Sequence, residues 1–165
     1  MIQGRRVVVT SACGVAIAIS MIALAIASSS AHAASTRAEY VAQIDPICLG
    51  IQNRVDAIRH KVKPNASARE LGRAIAKVAK ADARGITMIA AIAPPATDKP
   101  VVDQWIIGIQ GEQRLAKRVA AAYIHIQGKR IRKLTARLLA ADKRDDQLIH
   151  PLGFQHCDAA TPLFP

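Results

Sequence analysis

The sequence predicts an all-α fold, an up-down bundle of four helices that follows an N-terminal signal or anchor helix. Apolar residues recur at steps of three and four over most of the chain, which is the spacing of one helical face. Two capping-box patterns mark helix starts. Hydrophobic residues make up 51% of the sequence and aromatic residues only 3%, so the core must consist mainly of aliphatic side chains, whose small size lets helices approach closely.

Residues 1–33 have the order of a secretory signal. The Arg5-Arg6 pair forms a positive region, residues 7–27 carry no charge, and Ala31-His32-Ala33 supplies the small residues that a signal peptidase recognises. We expect cleavage after Ala33, which leaves one exported domain at residues 34–165, secreted or held in the cell envelope. An uncleaved anchor is the alternative, because an uncharged run of this length can span a bilayer of roughly 30 Å.

The first helix of the domain begins at a capping box formed by Thr36 and Glu39. Pro46 interrupts this helix by removing an N–H group and crowding the preceding turn. Either the helix kinks there, which is the interpretation we favour, or Asp45 caps a new helix whose first turn contains the proline. The stripe of the first helix consists of Ile44, Cys48, Ile51, Val55, Ile58 and Val62.

The second helix follows a turn at residues 64–66 and begins at a capping box formed by Ser67 and Glu70. It runs to about Ala93, because Pro94-Pro95 stops it and opens a stiff connector that reaches Pro100. Its apolar stripe consists of Leu71, Ile75, Val78, Ala79, Ile86 and Ile89.

Asp82 lies on the apolar face of this second helix, between Ala79 and Ile86. A buried carboxylate must be paired or protonated. We expect an ion pair or hydrogen bond with a long basic side chain or a tyrosine. The alternative is a polar contact to a ligand inside the bundle.

The third and fourth helices are separated by a turn near Gly128, and the fourth ends at His150-Pro151. Short links of this kind favour an up-down bundle. The two stripes consist of Trp105, Ile109, Ala116, Val119 and Tyr123, and of Ile131, Leu134, Leu138 and Ala141.

Three cysteines occur in the chain, and Cys13 lies in the leader, so a cleaved protein keeps Cys48 and Cys157. An even pair in a small exported domain predicts one disulfide. Cys48 lies on the stripe of the first helix, so docking of the C-terminal segment against that helix would bring the two sulfurs together.

A family resemblance rests on short motifs. Tyr40, Asp45, Ile47 and Cys48 form a Tyr-x4-Asp-x-Ile-Cys start, Pro94-Pro95 follows the second helix, and Leu152-Gly153-Phe154 precedes Cys157. In these features the chain resembles the small exported helical proteins of unknown function that are common in high-GC Gram-positive bacteria. The resemblance implies a disulfide-tied helical domain and carries no activity with it.

No catalytic constellation is recognisable, and we therefore expect a non-enzymatic protein without a cofactor. No nucleophile lies in a G-x-S-x-G setting, and no phosphate-binding glycine loop occurs. We expect no metal site, because no two of the mature domain's histidines are spaced as ligands on one helix face. These histidines are His60, His125, His150 and His156.

The formal net charge is +11, and a surface of this sign attracts anionic partners, although it also keeps a small domain soluble. Five basic residues crowd the turn between the third and fourth helices. We call them the basic cluster: Lys129, Arg130, Arg132, Lys133 and Arg137. The cluster could bind an anionic wall polymer or lipid headgroups. Sequence-specific recognition of nucleic acid is not expected, because the domain is exported and only Tyr123 offers a stacking face.

Two hypotheses about function follow. The first is an envelope or secreted domain that acts through binding or structure, and the second is a carrier of a small apolar ligand or cofactor in the bundle core. A cavity of a few hundred Å³ with converging polar groups would favour the carrier. A filled core with an exposed basic cluster would favour the first hypothesis.

Overall fold

The computed structural model describes residues 36–157 and has four helices and no strand within that range. This confirms the predicted all-α four-helix bundle. The leader and its cleavage site lie outside the described residues. Over the described range, no helix combines the length and apolar character that a membrane span requires. The helices are α1 (Arg37–Arg59), α2 (Ala68–Ala90), α3 (Lys99–Ile124) and α4 (Gly128–Ile149), followed by a short 3-10 turn at His150–Leu152.

Both capping boxes are confirmed. At the start of α1, the Thr36 hydroxyl accepts from the Glu39 backbone N–H at 3.2 Å, and the Glu39 carboxylate accepts from the Thr36 N–H at 3.1 Å. Ser67 and Glu70 repeat the arrangement at the start of α2, with distances of 3.3 and 2.7 Å. These bonds satisfy backbone donors that the first helical turn leaves without partners.

Pro46 lies inside one continuous helix, α1, so the alternative of a new helix starting there is wrong. Asp45 therefore does not cap a helix. Its carboxylate accepts the backbone N–H groups of Gln155, at 3.0 and 3.1 Å, and of His156, at 3.2 Å. The acidic residue beside the proline thus holds the C-terminal segment against α1.

Four predicted boundaries were wrong. The helix α2 ends at Ala90 rather than Ala93. If the helix continued, the ring of Pro94 would clash with the carbonyl group of the residue four positions earlier. Pro100 belongs to the first turn of α3. A backbone N–H at this place would have no hydrogen-bond partner within the helix, so its absence in proline costs no helical bond. Val62 lies beyond the end of α1, and Gly128 begins α4 rather than ending α3.

The two core clusters of the bundle show how its helices run. One cluster joins the start of α1, the end of α2, the start of α3 and the end of α4, through residues such as Tyr40, Ile89, Trp105 and Ile149. The other joins the first half of α2 to the end of α3 and the start of α4. Each helix therefore runs antiparallel to the next.

Gly72 of α2 lies in close contact with the backbone of α3. A Cβ atom at this position would lie 2.8 Å from the Ala120 carbonyl oxygen and 2.9 Å from the Ile124 backbone nitrogen of α3. These are backbone atoms that cannot move aside, so only glycine lets the start of α2 reach the end of α3 this closely.

The predicted disulfide is confirmed. The sulfurs of Cys48 and Cys157 are bonded, their Cα atoms lie 5.1 Å apart, and the two residues are 109 positions apart in sequence. The Gln52 side chain donates to the His156 carbonyl oxygen at 2.6 Å next to this bond. Together with Asp45, the disulfide fixes residues 155–157 onto α1.

Candidate functional site

A cavity of about 450 Å³ lies between the four helices, within the size range of small-molecule sites. Most of its wall is aliphatic, and Trp105 and Tyr123 supply aromatic surface. The core is therefore not filled by the side chains of the described residues. The apolar part of the wall includes Ile51, Val55, Ile75, Val78, Ile109 and Val119.

The cavity opens on the side where α1 faces α4. Consecutive helices pack against each other, but α1 and α4 make no contact of comparable extent within residues 36–157. Two wall residues on this side, Asp56 of α1 and Leu139 of α4, are exposed to solvent. A ligand can therefore enter between α1 and α4 without breaking a helix pair.

The polar part of the wall has one sign of charge. The chain has 23 Lys and Arg residues and 12 Asp and Glu residues, yet no Lys or Arg lines the described part of the cavity. Half of the chain's acidic residues do so, which makes this cavity locally negative in a basic protein. They are Asp56, Asp82, Glu112, Asp142, Asp145 and Asp146.

Glu112 of α3 and Asp145 of α4 form the deepest acidic pair. Asp145 is only 3% exposed, and its Oδ1 atom accepts from Arg144 Nε at 3.0 Å. The second oxygen of Asp145, Oδ2, and the Oε1 atom of Glu112 are both buried. Neither accepts a hydrogen bond while both groups are ionised. Two carboxylates cannot bond to each other, so a proton on Glu112 supplies the donor that this pair lacks.

The proton is held there by the surroundings of Glu112. Burial, a side-chain hydrogen bond with Asp145 and the charges of Asp145, Asp142 and Asp146 raise the pKa of Glu112 to about 9. Burial and the neighbouring Asp145 also raise the pKa of Asp142. Like charges that share a site cannot all ionise, so Glu112 retains its proton at neutral pH.

Asp82 lies in the cavity wall, as its place on the apolar face of α2 predicts, but without the expected partner. Its Oδ1 atom is buried and accepts no hydrogen bond, and no ion pair within 4.0 Å reaches it from the described residues. Burial raises the pKa of Asp82 to about 6, and the charge of Arg54 offsets part of this shift. The prediction of a structural ion pair was therefore wrong.

The sequence signal at Asp82 is an acidic residue on an apolar stripe. The same signal marks Glu112 and Asp145, which the sequence analysis missed. Glu112 fills the gap of the α3 stripe between Ile109 and Ala116, at steps of three and four. Asp145 likewise precedes the buried Ile149 by four residues on α4. A search for acidic residues on apolar stripes would have found all three carboxyl groups.

All five residues of the basic cluster are exposed, around the start of α4. The Arg130 guanidinium donates to the Gln127 side chain at 3.2 Å, and no residue of the cluster forms an ion pair with a described residue. Cations at a helix N-terminus oppose the helix dipole, so the cluster does not stabilise α4.

The histidines do not converge. His156 lines the cavity, whereas His60, His125 and His150 are exposed. No group of three His, Cys, Asp or Glu side chains in residues 36–157 has the geometry to hold a metal ion.

The chain matches no protein-family model, no curated protein and no solved structure. The chemistry of the cavity and of the surface is therefore the basis for a functional proposal.

Proposed function

We propose that this protein is a binding protein that carries one small ligand with an apolar body in the cavity between its four helices. One observation carries the proposal: a cavity of about 450 Å³ combines aliphatic walls with buried polar atoms that have no partner in the protein. Ligand sites have this composition, in which apolar walls provide affinity and a few polar groups fix orientation.

A purely structural role accounts poorly for this cavity. Helical cores normally pack to the density of organic crystals, with few voids larger than a water molecule. A void of this size leaves its lining without packing partners, and buried acceptors without donors add about 1–3 kcal/mol each to the cost of folding. A ligand that fills the space would recover both losses.

The carrier would act outside the cytoplasm, in the cell envelope or as a secreted protein. The signal-like order of residues 1–33 supports export, and the Cys48–Cys157 disulfide suits an oxidising compartment. N-terminal sequencing of the mature protein should find Ala34 as the first residue. Retention of residues 1–33 on a membrane-bound form would show an anchor instead.

Ligand binding can be tested with the neutral apolar dye N-phenyl-1-naphthylamine, whose fluorescence rises in apolar surroundings. We expect saturable binding of one dye molecule per chain. The variant Ala116→Phe fills space in the cavity wall and should weaken dye binding about tenfold or more. The matched control Ala121→Phe adds the same ring on the exposed side of α3 and should bind as the wild type does.

Absence of saturable dye binding, or equal binding by Ala116→Phe and the wild type, would contradict the carrier. The single tryptophan of the chain provides a second readout, because Trp105 lines the cavity and is 3% exposed. Its fluorescence should change on filling the cavity even with a ligand that does not fluoresce.

Binding to a polyanion is a second candidate function, and the basic cluster favours it. Its five exposed cations lie in a segment without an acidic residue between Glu112 and Asp142. An anionic wall polymer or lipid headgroup at the start of α4 would neutralise charges that now oppose the helix dipole. This surface contact and a ligand in the cavity do not exclude each other.

A further inference from the structure

The charge of the cavity wall restricts what the carrier can hold. Six carboxyl groups line the cavity, no Lys or Arg does so within residues 36–157, and the mouth residue Asp56 is itself acidic. The basic outer surface does not cancel this local field, since exposed charges are screened over about 8–10 Å at physiological ionic strength. An anionic ligand would be repelled, and a neutral one would leave the negative wall with only the partial compensation that Arg144, Arg59 and Arg54 provide from outside it.

Three of the five buried side-chain atoms that lack partners in residues 36–157 are carboxylate oxygens, and the other two are the hydroxyls of Tyr40 and Thr135. Asp82 Oδ1, Glu112 Oε1 and Asp145 Oδ2 are buried in the wall from three different helices, and no N–H group of residues 36–157 donates to them. Within the Glu112–Asp145 pair, the proton on Glu112 is the donor. Asp145 is more than nine-tenths buried, so water does not replace the missing donor from bulk solvent. The described part of the wall therefore offers these oxygens no N–H donor and carries no Lys or Arg, and an ammonium group supplies both a donor and a positive charge.

We propose, on the basis of the carrier function, that the ligand is an organic cation: an ammonium group bound between Glu112 and Asp145, with an apolar body along α1, α2 and α3. The apolar body would lie against Ile75, Val78 and Ile109, which line the cavity near these acids. The position of Asp82 on α2 suits a second amino group, so diamines with an apolar spacer belong to the same class.

Binding of the ammonium group exchanges one cation for another. The proton held by Glu112 leaves as H⁺ to solvent, the carboxylate remains, and the ligand's N–H groups donate to Glu112 and Asp145. One proton is released for each cation bound, and no covalent bond to the ligand changes.

Charged groups on every neighbouring element influence this exchange. The groups that line the cavity favour the cation, because all but one of those that can ionise are acidic. Three arginines just outside the wall oppose it in part: Arg144 paired with Asp145, Arg59 paired with Asp56, and Arg54 near Asp82. The groups that face the pair are Asp56 of α1, Asp82 of α2, Asp142 and Asp146 of α4, and His156 of the C-terminal segment.

The test uses three probes with the same ten-carbon body: decylamine, decanol and decanoate. We expect decylamine to bind about tenfold or more tightly than either of the others, as a charge-assisted hydrogen bond predicts. The variant Glu112→Gln should weaken decylamine binding by a similar factor and leave decanol binding unchanged. The control Asp103→Asn removes an exposed carboxylate of the same helix and should change neither affinity.

Calorimetry in two buffers of different ionisation enthalpy gives an independent measurement. The wild type should release about one proton on binding decylamine near neutral pH and none on binding decanol. The variant Glu112→Gln should release none with either probe.

The outcomes separate the two proposals. Equal or tighter binding of decanol or decanoate, with no effect of Glu112→Gln, would overturn the organic cation and leave the carrier standing. Failure of all three probes to bind the folded protein would overturn the carrier and the cation with it. Binding of decylamine without proton release would overturn the exchange at Glu112.

Discussion

The Asp145 carboxylate lies against the backbone of Gly108, so closely that a Cβ atom on this glycine would overlap both of its oxygens. Gly108 precedes Glu112 by one turn of α3, and the contact therefore sets Asp145 beside Glu112. A glycine inside a helix normally costs about 0.5–1 kcal/mol relative to alanine. Here the absence of a side chain creates the space that holds the buried acid.

The variant Gly108→Ala tests this contact. The added methyl group must displace Asp145 or push α4 away from α3, so the free energy of unfolding should fall by about 1–3 kcal/mol in urea denaturation. In addition, decylamine affinity should fall, because Asp145 would no longer lie beside Glu112.

The control for this variant is Gly111→Ala on the same helix. A Cβ atom there would meet only the flexible end of Arg114, at 3.7 Å. We expect unchanged or slightly higher stability, since alanine favours the helix by about 0.5–1 kcal/mol. A stable Gly108→Ala variant that also keeps its ligand affinity would show that Gly108 does not position Asp145.

Stability of the ligand-free protein should fall as the pH rises through the neutral range. The pKa of Glu112 is raised from 4.5 to about 9 in the folded chain, so the folded state binds more protons than the unfolded state between these values. The free energy of unfolding therefore decreases with rising pH over that window. Asp82 acts in the same direction up to its raised pKa of about 6.

Thermal unfolding at about pH 5 and about pH 8 measures this effect, and we expect a midpoint several degrees higher at the lower pH. The variant Glu112→Gln should reduce the difference, because the amide has no proton to lose. The variant Asp103→Asn should keep it. A wild-type midpoint that is higher at pH 8 would contradict a protonated Glu112.

Removal of the disulfide should destabilise the fold strongly. The bond between Cys48 and Cys157 closes a segment of 109 residues, and its loss should lower the free energy of unfolding by about 4–5 kcal/mol on the chain-entropy model. The variant Cys157→Ser should match the reduced wild type in urea denaturation, and added reductant should not change the variant further. A wild type whose midpoint does not respond to reduction would contradict this estimate.

Reversal of charge in the basic cluster tests the second candidate function. If the cluster contacts a polyanion, the triple variant of Arg130, Lys133 and Arg137 to Glu should lose binding to anionic vesicles while its melting changes little, because exposed charges contribute little to folding. Wild-type affinity should fall about tenfold or more from low to physiological salt.

A charge-matched control separates the cluster from the net charge. Lys77, Lys80 and Arg84 are exposed on α2, and their reversal to Glu changes the total charge by the same amount. This control should retain more binding than the cluster variant. Equal loss by both variants would mean that net charge alone attracts the vesicles, and no binding by the wild type would exclude the candidate.

The sequence alone determined the helices, their caps and the cysteine pair. Apolar spacing of three and four residues is a local property of each helix, and the capping boxes at Thr36 and Ser67 act within one turn, so neither depends on distant contacts. The resulting errors were small and lay at helix ends, at Pro94 and Pro100 and also at Val62 and Gly128.

Only the tertiary structure decided that these helices enclose a cavity with an acidic wall. Asp82, Glu112 and Asp145 lie on three different helices, and each taken alone on its stripe resembles an isolated buried charge that needs a basic partner. Whether a basic side chain lies close to such a carboxylate depends on how the neighbouring helices are rotated and spaced. The close contact at Gly108 sets Asp145 beside Glu112 as well as beside Arg144, and the separation of α1 from α4 leaves the cavity open to a partner from outside the chain.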